Sequence, residues 1–134
     1  MVVTIDNKDV IIDFDEKISK KSLDSYKNAI KKALRSGCDK LLLNFDKVDN
    51  FDHMFLDFIM STKELMSSIS FCNVNMTLLP AFYLMKIDQV ATFYTSKYDA
   101  IQEKKPIIKR RLELIHQKAL LFFLSAILVL RDFT

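Results

Sequence analysis

The side chains that could carry chemistry are few. His53 and His116 are the only imidazoles, and Cys38 and Cys72 the only thiols. A Cys–His nucleophile pair needs the ring within hydrogen-bond reach of the sulfur, and nothing in the spacing brings either cysteine to His53. Zinc sites repeat Cys and His at short intervals, whereas these cysteines stand far apart with no CxxC. Asp13, Asp15 and Asp46 fall near the ends of strand-like runs, as an acidic phospho-receiver pocket would require. Such a pocket also wants a lysine on the last strand and a bare aspartate ending the third. Here Asp46 is followed by Lys47 in a turn-like stretch. Thr62 falls on an apolar helical stripe, and Ser61 reads as a solvated helix residue rather than a phosphosite. Binding is the chemistry that remains, with no enzyme activity, cofactor or metal expected.

Composition narrows the class further. A chain of 134 residues, half hydrophobic and 28% charged, suits one folded domain with a real core. Its single glycine excludes a glycine-rich phosphate loop, and with it the P-loop and Rossmann classes. The N-terminus runs straight into strand-like residues with no signal-peptide pattern, so a cytosolic protein with reduced thiols is expected. Residues 1–105 hold 15 basic and 15 acidic side chains, and the whole excess of +3 lies in residues 106–134. A nucleic-acid surface would spread its charge over a face. The lysines at 20, 21, 27, 31 and 32 lack interleaved aromatics and read as the wet side of a helix. No nucleic-acid partner is expected.

The elements that must position these side chains follow from periodicity. Residues 2–6 and 10–15 read as strands around an Asn7-Lys8-Asp9 turn. Residues 19–36 carry Leu23, Tyr26, Ile30, Ala33 and Leu34 on one helical stripe, with Ser19 or Ser22 as the cap and Gly37 as the stop. Residues 40–45 form a buried-looking strand. Residues 53–69 read as a helix with Phe55, Ile59, Thr62, Leu65, Met66 and Ile69 on one side. Residues 72–79 alternate as a strand, Pro80 opens a short helix over 81–88, 91–95 form a strand, and 97–104 a short helix. Strands alternating with helices predict an α/β layered domain on a largely parallel sheet.

Pro106 marks a boundary between a domain over 1–105 and a helical extension over 106–134. Ile108, Leu112, Ile115, Ala119, Phe122, Ala126 and Val129 are spaced as an a/d seam over about three heptads, so a homodimer through 108–130 is one expectation. Residues 119–130 are apolar all round except Ser125. A spanning helix needs roughly 20 apolar residues, so this shorter run points instead to docking on protein or peripheral contact with a membrane surface, with Lys109–Arg111 towards the headgroups.

The turn between the third strand and the helix at 53 holds the sharpest signal. An aspartate at position 52 can cap that helix, and a helix start is where an anion is most welcome. The run LLLNFDKVDNFDHMFLDFI, residues 41–59, resembles the core signature of the STAS domain, the sulphate-transporter and anti-sigma-factor-antagonist family. That signature is an apolar strand, a turn, Asp-Ser-Ser-Gly-Leu and a helix. The stretch MKIDQVATFYTSKYDAI, residues 85–101, is similar to the family's closing strand and Ser-x-x-x-Ala helix. The resemblance covers about residues 2–104. It places Asp52 at the family aspartate, His53 at the first serine, Met54 at the serine that regulatory kinases phosphorylate, Phe55 at the glycine and Leu56 at the leucine. Methionine neither accepts nor imitates a phosphate.

The resemblance implies a STAS-like mixed β-sheet packed with helices, to which this chain adds a C-terminal helix. It also implies a non-enzymatic bacterial regulator in signalling or transcription, docking onto an anti-sigma factor or kinase and not controlled by phosphorylation at Met54. The expected docking face is Asp52, His53, Met54 and Asp57, with the neighbouring loop from Asp15 to Ser19. Met54 would be its apolar anchor and Asp57 a rim charge. Some family members are instead small subunits of bacterial membrane transport complexes that grip a cytosolic ATPase, and the apolar tail suits that role.

Overall fold

The computed structural model describes residues 1–15, 18–51, 53–104, 106–107, 117–118, 120–121 and 124. Asp52 and every residue of the seam expected over 108–130 lie outside the described residues. Among the described residues, no helix is long and apolar enough to cross a membrane.

Five strands form one sheet in the order β1-β2-β3-β4-β5. β1 (Val2–Asp6) and β2 (Asp9–Asp13) are antiparallel, joined by a two-residue turn in which Asn7 takes a positive φ of 55°. β3 (Lys40–Asn44), β4 (Ser68–Cys72) and β5 (Thr92–Tyr94) follow in parallel. The helices α1 (Lys20–Arg35), α2 (His53–Leu65) and α3 (Leu79–Leu84) are the crossovers between them, and α4 (Lys97–Gln102) follows β5. The fold is α/β with a mixed sheet, largely parallel as the periodicity predicts.

Strand alternation sorts the apolar residues onto two faces. Val10, Ile12, Leu41, Leu43, Ile69, Phe71 and Phe93 face α1, α2 and α3 in the main core. Ile11, Leu42, Cys72 and Tyr94 face the other way and share a smaller cluster with Ala100 of α4. α1 begins where the Ser19 side chain accepts from the Ser22 amide at 3.4 Å. It ends in a Schellman arrangement: Cys38 N–H donates to Ala33 O, Gly37 N–H donates to Leu34 O, and Gly37 sits at φ +83°. Among the described residues, Thr62 is the one buried polar side chain. Thr62 of α2 accepts the Tyr26 hydroxyl of α1 at 3.0 Å and donates to Phe58 O at 2.7 Å.

The largest departure from the predicted elements is between α2 and β4. The helix expected over 53–69 stops at Leu65, and the strand expected over 72–79 runs from Ser68 to Cys72. No Gly or Pro marks the break. Instead, the Ser67 amide and hydroxyl both donate to Asp39 O, at 2.8 and 2.9 Å, and fasten the chain to the entrance of β3. Ile69 and Phe71 then pair with Leu41 and Leu43. Asn73, at φ 56°, ends the strand. The alternation in residues 73–79 is a turn in which Asn75 Oδ1 accepts from the Thr77 amide at 3.0 Å. The expected short helix over 81–88 is α3, with Pro80 in its first turn, followed by a 3-10 turn at Ile87–Gln89.

Burial pushes the Tyr26 phenol from 10.0 up to about 12, only partly offset by its bond to Thr62. The folded chain therefore holds this proton more tightly than the unfolded chain. That stabilisation is complete below pH 10 and is lost as pH rises towards 12. Urea unfolding midpoints should fall across this window in the wild type and fall less in Tyr26→Phe. Thr62→Val strands the phenol and should cost about 1–3 kcal/mol at neutral pH.

Candidate functional site

The start of α2 is built over a bed of aromatic rings. Phe14 follows β2, Phe45 follows β3, and Phe51 and Phe55 flank the entry to the helix. Phe55 is 0% exposed. Its ring centroid lies 5.5 Å from Phe45, 5.8 Å from Phe14, 5.8 Å from Phe51 and 6.3 Å from Tyr26. These are normal spacings for aromatic pairs. Helical geometry rotates the preceding side chain by about 100°, so the burial of Phe55 turns Met54 outward. Met54 is 43% exposed, and Asp57 is exposed further along the same helix.

The sequence-predicted site is thus only partly one surface. Met54 and Asp57 both present themselves on α2. Phe14 touches Phe55, which sets the end of β2 beside the start of that helix. Asp15, however, is engaged: its carboxylate accepts from the Met1 ammonium, and that bond holds it below the usual carboxylate range. Ser19 spends its hydroxyl on capping α1. Asp52 lies outside the described residues, and His53 contributes its backbone as the first residue of α2.

A second constellation lies at the carboxyl edge of the sheet, where ligands of open α/β sheets usually bind. Asn44 Nδ2 donates to Asp13 Oδ1 at 2.6 Å, and Asn73 Nδ2 donates to Asn44 Oδ1 at 3.1 Å. The Asp46 amide donates to the same Asn44 oxygen at 3.2 Å. The Lys97 ammonium donates to both oxygens of Asp13 at 3.2 Å. This network joins the ends of β2, β3 and β4 to α4 and lines a shallow cleft with Asp15, Asp46 and Lys47. Of the aspartates noted in the sequence, Asp13 does meet a lysine here, but it comes from α4 rather than the last strand. Asn44, Asn73 and Lys97 were not legible as a group. Asn44 and Asn73 share one signal, a polar residue at or just past the end of a parallel strand, since Asp13 pairs with Asn44 and Asn44 with Cys72, the residue before Asn73; Lys97 shares none. Among the described residues, no three His, Cys, Asp or Glu side chains gather as metal ligands.

Both cysteines are buried and unpaired. Burial pushes the Cys72 thiol up to about 12, against a smaller lowering from Lys97. A thiol in that state is a poor nucleophile.

Solved structures carry the same architecture. An anti-sigma factor antagonist from Mycobacterium paratuberculosis superposes with a TM-score of 0.66 at 13% identity, over 76% of this chain and 90% of that one. The chain has the STAS fold. SpoIIAA, an anti-sigma factor antagonist in its unphosphorylated form, matches at TM-score 0.64 and 12% identity, over 81% and 98% of the two chains. A Thermotoga maritima protein described as a candidate anti-sigma factor antagonist matches at 0.66 and 18%, over 76% and 92%. Neither a protein-family model nor a curated protein sequence matches the chain. The STAS likeness therefore stands on shape and on the order of elements.

Two measurements check this site. Phe55→Ala should cost about 3–5 kcal/mol of stability, while Met54→Ala should change it by less than about 1 kcal/mol. Equal costs at the two positions would contradict the orientation of the first turn. Thiol titration of the native chain should label neither cysteine on a timescale of minutes, and both should react after unfolding in guanidinium.

Proposed function

We propose that this chain is a non-enzymatic protein-binding module of the anti-sigma factor antagonist kind. In this reading it works in the bacterial cytoplasm, in signalling or transcription control, and meets an anti-sigma factor or kinase through the first turns of α2. The observation that carries the reading is the pairing of a fully buried Phe55 with a half-exposed Met54 at the helix start. A flexible thioether on an exposed turn is a good interface anchor. Asp57 supplies a charge at the rim, while Asp52 and His53 complete the turn in sequence. Asp15 and Ser19 border the face without supplying free polar groups, since each already has a bond to make.

The regulation follows from the same residue. In this reading Met54 stands where the family carries its phosphorylated serine, and it has no hydroxyl to modify. Binding would then be controlled by competition for the partner rather than by a phosphate. The exposed leucines 120, 121 and 124 favour a second reading. In that reading the chain is a small subunit of a transport complex, held on a cytosolic ATPase or against a membrane surface by its tail.

Capture of partners from source-cell lysate by the full chain, with identification by mass spectrometry, separates the readings. The wild type should capture an anti-sigma factor or ATP-dependent kinase. Met54→Glu should weaken that capture by about tenfold or more, because a carboxylate would be buried in an apolar contact. Capture of a transporter ATPase that is indifferent to Met54→Glu would favour the second reading and contradict the first.

A further inference from the structure

Among the described residues, β1 is the outermost strand on one side of the sheet, while on the other side Ile107 bridges Phe93 of β5. An edge strand offers a row of backbone groups to any strand that meets it, and natural edges are blunted by proline, bulges, charge or a covering element. β1, Val-Val-Thr-Ile-Asp, has no proline and pairs with β2 residue for residue, without a bulge. Every residue of it is exposed, including Val2 at 61%, Val3 at 38% and Ile5 at 45%. Its one charge, Asp6, lies at the turn.

The hairpin decides which backbone groups are on offer. Asp6 and Asp9 close a two-residue turn, and the pair closing such a turn is hydrogen-bonded. Alternation then directs the amides and carbonyls of Asp6, Thr4 and Val2 towards β2, and those of Val3 and Ile5 outward. Side chains alternate as well. Val3 and Ile5 stand opposite Ile12 and Val10, on the face that carries the main core. The two residues with free backbone groups are therefore the two whose side chains border the core.

We propose that β1 pairs with β1 of a second copy of this chain, antiparallel about a two-fold axis through Thr4. In that register Val3 meets Ile5 of the second copy, and Ile5 meets its Val3. Both are hydrogen-bonded pairs, so every outward amide and carbonyl of Val3 and Ile5 finds a partner. The four side chains close into one apolar strip between the two cores. Thr4 meets Thr4 as a close, non-hydrogen-bonded pair, and Thr–Thr pairs are favourable across strands. Moving the axis to Val3 would set Ile5 against Met1, and moving it to Ile5 would set Val3 against Asn7 in the turn. Only the Thr4 axis makes the strand complementary to itself, as a two-fold interface requires. One strand pair buries little surface, so the association is weak and concentration-dependent.

Disulfide trapping in the full chain reads the register directly. A non-hydrogen-bonded pair has its Cα atoms about 4.5 Å apart, within disulfide reach. The two Asp6 positions lie about 13 Å apart along the strands in this register, beyond reach. Cys38 and Cys72 are buried and do not compete. Under mild oxidation at about 100 µM, a concentration suited to a weak interface, Thr4→Cys should run mostly as a dimer on a non-reducing gel. Asp6→Cys alone should stay monomeric, and an equal mixture of Val2→Cys and Asp6→Cys chains should cross-link. In sedimentation, Ile5→Lys should shift the otherwise native chain towards monomer, with circular dichroism reporting that it is folded. Absence of the Thr4→Cys dimer, or equal trapping of Thr4→Cys and Asp6→Cys, overturns the proposal. So does a wild-type dimer that Thr4→Cys fails to trap, because the copies would then meet through another surface.

Discussion

The contact on which the rest of the molecule depends is the ring of Phe45 at the exit of β3. It meets Phe14 from β2, Phe71 from β4, Phe82 from α3, and Phe51 and Phe55 from the entry to α2. Two neighbouring strands and two helices thus send rings to it. A phenylalanine buries a large apolar area and accepts neighbours edge-on or tilted, so one ring can serve several elements at once. Because Phe55 must reach this cluster, the first turn of α2 has one rotational setting. Met54 and Asp57 face outward as a consequence, and the proposed docking surface is the far side of a packing requirement.

The same constraint explains how much of the fold is legible in the sequence. β2, β3 and α1 are readable because period-2 and period-3.6 patterns are strong there, and because Ser19 and Gly37 bracket α1 with side chains that do what their types suggest. The boundary between α2 and β4 is not readable. Ser67 ends the helix by bonding to Asp39, a residue 28 positions earlier, and no local signal announces a long-range anchor. The alternation in residues 72–79 is real as a pattern, but residues 73–78 form a turn closed by Asn75. Short runs of alternating residues carry too little information to outweigh register with a neighbouring strand.

The candidate site divides in the same way. The exposure of Met54 and the burial of Phe55 could be read from the apolar stripe of the helix. The Asp13–Asn44–Asn73–Lys97 network could not, since its members become neighbours only through parallel register and the placement of α4. The aspartates were visible as a group of like charges. What the sequence hid was that the Asn44 amide and the Lys97 ammonium both donate to Asp13, while Asn73 holds Asn44 in place. Asp15 shows the converse: it looks like a free carboxylate in a loop, yet it is tied to the chain's own amino terminus.

The proposed docking runs through the start of α2. Hydrogen exchange on the captured complex, compared with the free chain, tests it most directly. Slowed exchange is expected in residues 53–61 when the partner is bound. Slowing confined to residues 107–134, with residues 53–61 unchanged, would contradict it and make the tail the recognition element.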